Sequence, residues 1–206
     1  QKAGALLDLM EKSYDLLKDH PVNKARIARG KRPANSMWFW GQGRRAELED
    51  FYEKNGIKGA AISAVDLIKG IAISAKLESV DVEGATGNIH TNFEGKAQAS
   101  IDLLKRNDFV YIHVEAPDEC GHRCEPENKV KAIELIDEKI VKPVMDYIKS
   151  TGEDFKVLIM PDHPSPLNTK THSSAPFPYL IYLVGCTTPL KWFKSNIFYL
   201  PSIILV

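Results

Sequence analysis

The sequence predicts an α/β protein built on a mostly parallel sheet with helices covering both faces. Two observations carry that expectation. Short apolar runs such as Phe109-Val-Tyr-Ile-His-Val114 and Phe155-Lys-Val-Leu-Ile-Met160 alternate with amphipathic stretches of helix length, the pattern of strands joined by crossover helices. The chain also has 206 residues, 44% of them hydrophobic and 26% charged, enough to bury a substantial core.

The elements follow in order. Residues 2–19 place Leu6, Leu7, Met10, Tyr14 and Leu17 at helical spacing, with charges between them. His20-Pro21 ends that helix, because a proline biases the residue before it away from helical backbone. Asn23 to Pro33 then reads as a basic loop. Ser36-Met-Trp-Phe-Trp40 is a continuous apolar run before Gly41, expected as a short buried strand, and Arg44 to Asn55 as a helix closing at Gly56. Gly59 to Ser63 reads as a strand, Ala64 to Ala75 as a helix, and Val80 to Val82 as a short strand. Residues 95–106 are expected as a helix and 109–114 as a strand. Val130 to Ser150 reads as one long helix with Ile133, Ile136, Ile140 and Val144 on its apolar face; strands are expected at 155–160 and 179–184. Phe193 to Val206 is apolar but interrupted by Lys194 and Pro201. It is too short to span a bilayer and reads as a last strand or buried tail, with a truncation or reading-frame artefact as the alternative and a membrane anchor behind both. No internal repeat or low-complexity segment is evident.

Lys+Arg and Asp+Glu balance at 27 each, so no bulk charge recruits nucleic acid or an anionic membrane. Three cysteines form no even disulfide framework, and no basic-then-apolar leader opens the sequence. A cytoplasmic protein is the expectation. The first residue is Gln1 rather than Met, which suggests a piece of a longer protein. Oligomeric state is not legible here.

Three stretches fall at the carboxyl ends of expected strands, the edge where open α/β sheets place ligands. They are Glu115-Ala-Pro-Asp118-Glu-Cys-Gly-His122, Pro161-Asp162-His163-Pro164 and Thr169-Lys-Thr-His172. Carboxylate and imidazole together suit Zn²⁺ or Mn²⁺. Gly121 is read as a hinge that lets a loop fold Asp118 and His122 toward one ion. Asp162 and His163, if extended, point to opposite sides and can serve two neighbouring ions. Alone, an Asp-His after a strand is an ordinary capped turn, and a His in a Ser/Thr-rich loop is an ordinary surface residue. Three such clusters in a chain with 6 histidines outweigh those readings. Two metals about 3.5–4 Å apart suit phosphoryl transfer. Cys120 and Cys124 lack the second Cys/His pair of a structural zinc site. His113 is expected to be structural or a supporting partner. His90, Asn92 and Thr86-Gly87 give only a weak phosphate-loop signal.

At these residues the chain resembles the alkaline-phosphatase superfamily, and within it the archaeal-type cofactor-independent phosphoglycerate mutases. The stretches that carry the resemblance are PANSMWFWGQGRR, GIKGAAISAVDLIKGIA, GATGNIHTNFEGKA, DFVYIHVEAPDECGH and VLIMPDHPSP followed by THSSAPFPYLIY. The resemblance implies an alkaline-phosphatase-like sheet, incomplete in this chain, with two divalent metal ions, Mn²⁺ or Zn²⁺. Asp118, His122 and His172 would hold one ion, while Asp162 and His163 would contribute to the other. It implies interconversion of 3-phosphoglycerate and 2-phosphoglycerate through a phosphoserine, although the family's nucleophile motif is not found in this sequence. Gln42, Arg44, Arg45 and Lys69 are the implied binders of the small-molecule phosphoglycerate; for the arginines a solvated basic helix start is the plain alternative. Residues 1–35 would be the end of an inserted lobe and its linker, 36–184 the metal-binding domain, and 185–206 an atypical apolar tail. A phosphatase or homoserine-kinase-like phosphotransferase on the same metal core stays open, as does a non-catalytic metal-binding remnant.

Overall fold

The computed structural model describes residues 2–39, 41, 43, 44, 46–185 and 202–205. The chain divides into two compact units, residues 1–45 and 46–206.

The first unit holds α1 (Lys2–Lys18) and α2 (Pro21–Ala28). The expected basic loop is therefore helical as far as Ala28. Pro21 stops α1 and also starts α2: at the first helical position its missing N–H and fixed φ suit the helix, and the His20 side chain accepts from Val22 N at 3.3 Å. Buried Asn23 secures the following chain, donating to Leu17 O and Ala34 O at 2.7 Å each and accepting from Ala34 N at 3.0 Å. Residues 36–39 do not form the expected buried strand. They are irregular, with Trp38 76% exposed. An apolar run becomes a strand only when a neighbour takes its backbone hydrogen bonds, and the regular elements described in this unit are helices.

In the second unit, the helix expected from Arg44 is cut to α3 (Phe51–Asn55), because the Asp50 carboxylate caps it by accepting from Tyr52 N and Glu53 N. Gly56, at φ +73°, closes it as expected. The strands are β1 (Gly59–Ile62), β2 (Glu78–Val80), β3 (Phe109–Ile112), β4 (Phe155–Ile159), β5 (Leu180–Val184) and β6 (Ser202–Leu205). They form one sheet in the order β2-β1-β3-β6-β4-β5. Every neighbouring pair is parallel except β4 with β5. All four residues of β1 are buried, and alternate residues face opposite sides of a strand, so both sheet faces are covered there. The helices of this α/β unit are α4 (Asp66–Ser74), α5 (Phe93–Leu104), α6 (Ala116–Arg123), α7 (Pro126–Ile136) and α8 (Lys142–Thr151). Ile62, Leu103, Val110, Ile112, Ile140 and Phe155 anchor the core.

The expected single helix over 130–150 begins earlier, at Pro126, and is interrupted by a π-helical turn, Asp137–Val141. Pro143 accounts for the interruption. It cannot donate to the carbonyl four residues back, and its ring crowds that carbonyl. The turn widens, and Lys142 N donates five residues back to Asp137 O.

β6 is the strand expected in the apolar tail, and it lies in the middle of the sheet. Ile112, Leu205 and Ile159 share one row of the register. The segments leaving β3 and β4 therefore start at the same edge, two strand spacings (about 10 Å) apart. Among the described residues no helix is long and apolar enough to cross a membrane.

Candidate metal centre

The segment after β3 is not the expected hinged loop but the helix α6. Asp118 and His122 lie one turn apart on it, so both side chains share a face. Asp118 Oδ2 is 3.1 Å from His122 Nε2. From the loop after β4, His172 brings its Nε2 to 3.2 Å from His122 Nε2 and 3.4 Å from Asp118 Oδ1. One ligand atom from each of the three lies within 4.8 Å of the others, and among the described residues no other group of His, Cys, Asp or Glu converges this way.

Asp162 and His163 are not extended, so their side chains do not diverge as the sequence suggests. The chain bends, His163 N donates to Asp162 Oδ1 at 2.9 Å, and His163 Nε2 lies 3.2 Å from Asp162 Oδ2. The His163 ring packs on His172 with centroids 3.6 Å apart. This second pair thus abuts the triad.

The triad's own geometry fits a divalent ion. Asp118 Oδ1 is buried and accepts no hydrogen bond among the described residues. Leaving such an acceptor unpaired costs about 1–3 kcal/mol, and a cation between carboxylate and imidazoles would offset it. His122 Nδ1 donates to Lys170 O at 2.9 Å, which leaves Nε2 as the ligand atom. Lys170 presents that carbonyl from a left-handed backbone, φ +54°. The same hydrogen bond, helped by the charges of Asp118 and Glu119, raises the His122 imidazole above its ordinary range.

Behind the triad lies a buried polar wall. Lys96 is fully buried and donates to His113 O at 3.0 Å. Burial pushes its ammonium down to about 8, against the pull of Glu115. His113 is buried, as its expected supporting role requires, with Nδ1 3.1 Å from Ser63 Oγ, which also accepts from Val65 N at 2.9 Å. Burial first, then the Lys96 charge, hold this imidazole below its ordinary range. Burial, then Glu119 and Asp118, raise the Glu115 carboxyl. Its carboxylate rests on Gly87, where a Cβ would come within 2.2 Å of Oε2. The sequence reading missed Lys96, Ser63 and Glu115. For Lys96 a signal existed: it shares a helical stripe with Phe93, Ser100 and Leu103, all buried.

Lys69, on α4, pairs with Asp81 at 2.6 Å. Arg44 is exposed and outside any helix or strand, while Gln42 and Arg45 lie outside the described residues. Cys120 is buried and Cys124 exposed. The weak loop signal at 84–92 is a self-bonded turn: Thr86 N donates to Thr91 Oγ1 and His90 N to Asn88 Oδ1, both at 2.9 Å, and Asn92 caps α5.

Residues 7–198 match the family model of the metalloenzyme superfamily. The chain is similar to the 2,3-bisphosphoglycerate-independent phosphoglycerate mutase of Methanothrix thermoacetophila, 47% identical over 179 residues that cover 87% of this chain and 46% of the relative. The enzyme of that name from Methanosarcina mazei is 50% identical over 175 residues, covering 85% of this chain and 44% of the relative. The chain thus spans less than half the length of these curated relatives. A solved structure of a protein from Pyrococcus horikoshii superposes with a TM-score of 0.77 at 29% identity, over 100% of this chain and 54% of that one.

Proposed function

This chain belongs to the metalloenzyme superfamily, and we propose that it supplies the metal-holding part of an enzyme that interconverts 3-phosphoglycerate and 2-phosphoglycerate. The observation that carries the reading is the convergence of Asp118, His122 and His172 around a buried carboxylate oxygen that accepts no hydrogen bond among the described residues. The names of relatives at 47% and 50% identity point to the substrate.

In this reading Asp118, His122 and His172 hold one divalent ion, and Asp162 with His163 contributes to a second, Mn²⁺ or Zn²⁺ in each case. Bound there, such ions neutralise charge on phosphoryl oxygens and activate a nucleophile. The chain's own residues prepare the site. The Lys170 carbonyl fixes the ring of His122, and packing against His163 orients His172. Gln42, Arg44, Arg45 and Lys69 bind the phosphate and carboxylate of phosphoglycerate, a task that suits the bidentate guanidinium fork. The phosphoryl group passes through a serine whose motif is not found in this sequence, so the 206-residue chain is expected to bind metal and turn over little phosphoglycerate.

The test joins this chain to the amino-terminal part of one of the relatives and follows both phosphoglycerates by ³¹P NMR, alongside metal analysis. Metal with isomerisation supports the reading. Metal with release of inorganic phosphate would instead identify a phosphatase or another phosphotransferase on the same core. Ordinary mutase turnover by the 206-residue chain alone would overturn the assignment of the nucleophile.

A further inference from the structure

The two halves of the triad come from different segments, α6 and the irregular loop 162–173, and something must hold them in contact. We infer that Gly121 and Lys129 are positioning residues that clamp this loop onto α6 and so keep His172 against Asp118 and His122. The inference rests on the metal-centre reading above.

Gly121 lies inside α6, next to His122, and its backbone is not among the positive-φ positions. Glycine weakens a helix interior relative to alanine, so conformational freedom does not explain it. Space does. A Cβ at Gly121 would come within 2.7 Å of Ser165 O, 3.0 Å of Lys129 Nζ and 3.1 Å of Ser165 Cβ. The missing side chain lets the loop backbone lie directly on the helix. Lys129, one helix further on, closes the contact from the other side: its ammonium donates to Ser165 O at 2.7 Å and reaches Ser165 Oγ at 3.3 Å. Ser165 itself is buried.

The clamp acts close to the ligands. Ser165 follows His163 by two residues, and Ser173 N donates to Pro164 O at 3.0 Å. That bond pinches the base of the loop, so whatever fixes Ser165 also fixes the position of His172. The contacts of His122 with Lys170 and of His172 with His122 and Asp118 also join α6 to the loop, but each involves a residue of the triad and cannot anchor the loop independently of it.

Zn²⁺ titration of the 206-residue chain by calorimetry tests this. Lys129→Met is expected to weaken Zn²⁺ binding about tenfold, the lower end of the range for partners outside the ligand set. Lys129→Arg should recover most of the affinity, and Lys131→Met, at an exposed lysine paired with Glu134, should leave it unchanged. Gly121→Ala should weaken binding at least as much, and Lys129→Met keeps the test decisive should that variant not fold. A lower Tm with unchanged Zn²⁺ affinity in Lys129→Met would assign the lysine a structural role only and overturn the inference. NOEs between the His122 and His172 rings in the metal-free chain separate this idea from its premise. If the wild type binds no Zn²⁺, the metal-centre reading fails. Loss of those NOEs in Lys129→Met would still support the clamp, and their retention would overturn it.

Discussion

The triad and the wall behind it are built from similar side chains under opposite rules. In front, Asp118, His122 and His172 are only partly covered, and Asp118 Oδ1 accepts no hydrogen bond among the described residues. Behind, Lys96, His113 and Ser63 are buried and joined in a continuous chain of hydrogen bonds. The wall completes its own hydrogen bonds, whereas the triad leaves a buried acceptor open. The contrast separates a network closed by folding from a cluster whose geometry suits a cation, and it sets where substitutions should act.

The largest effect is expected in front, on binding and not on folding. His122→Ala should reduce divalent metal affinity on the order of a thousandfold, about 4 kcal/mol, more than loss of an outer partner. The stability of the metal-free chain to urea should barely change. A variant that kept its affinity would remove His122 from the ligand set.

Next comes Lys96, where the effect should appear in folding and depend on pH. Its folded pKa of about 8 lies below the ordinary lysine value of 10.5. Between those values the unfolded chain holds more protons, so stability should rise with pH across this window. Below pH 8 both states are protonated and the cost of burying the charge is fully present. The rise attributable to Lys96 is about 3 kcal/mol, and Lys96→Met should abolish it in urea titrations between pH 7 and 10.5. An unchanged slope would mean that the wall does not bury a charge.

Ser63→Ala would leave Val65 N and His113 Nδ1 without their partner, at about 1–3 kcal/mol of stability, with Zn²⁺ affinity shifting less than for any ligand change. The smallest effect is expected at Thr169, whose hydroxyl makes only exposed contacts at 3.2 and 3.3 Å. Thr169→Ala should stay within about 0.5 kcal/mol in both assays. A large loss there would show that the loop depends on more than its tie at Ser165.

The same contrast marks what the sequence could tell. The three clusters were legible together, because each follows an expected strand in a chain with 6 histidines, while the grouping of His172 with Asp118 and His122 came from the resemblance; the strands themselves announced their positions by continuous apolar runs. The Asp118–His122 helix was not, since Gly121 reads as a hinge until the Ser165 backbone is seen lying where its Cβ would be. Lys96 offered only its place on a buried helical stripe and Lys129 no signal, because only tertiary contacts distinguish a buried ammonium from an exposed one. The run at 36–39 failed for the converse reason: apolar composition can propose a strand, but only a neighbouring strand can pair with it. Pro21 was read as a stop, which it is, and not as the start of α2, which its ring geometry equally permits.

The position of β6 sets a timetable. Residues 202–205 lie between β3 and β4, and on the ribosome they emerge after both. Until then, among the described strands, β2-β1-β3 and β4-β5 share no partner, and each group carries part of the triad: Asp118 and His122 follow β3, His172 follows β4. The nascent chain can therefore display its histidines long before it can gather them. Metal capture should follow the insertion of β6 between β3 and β4.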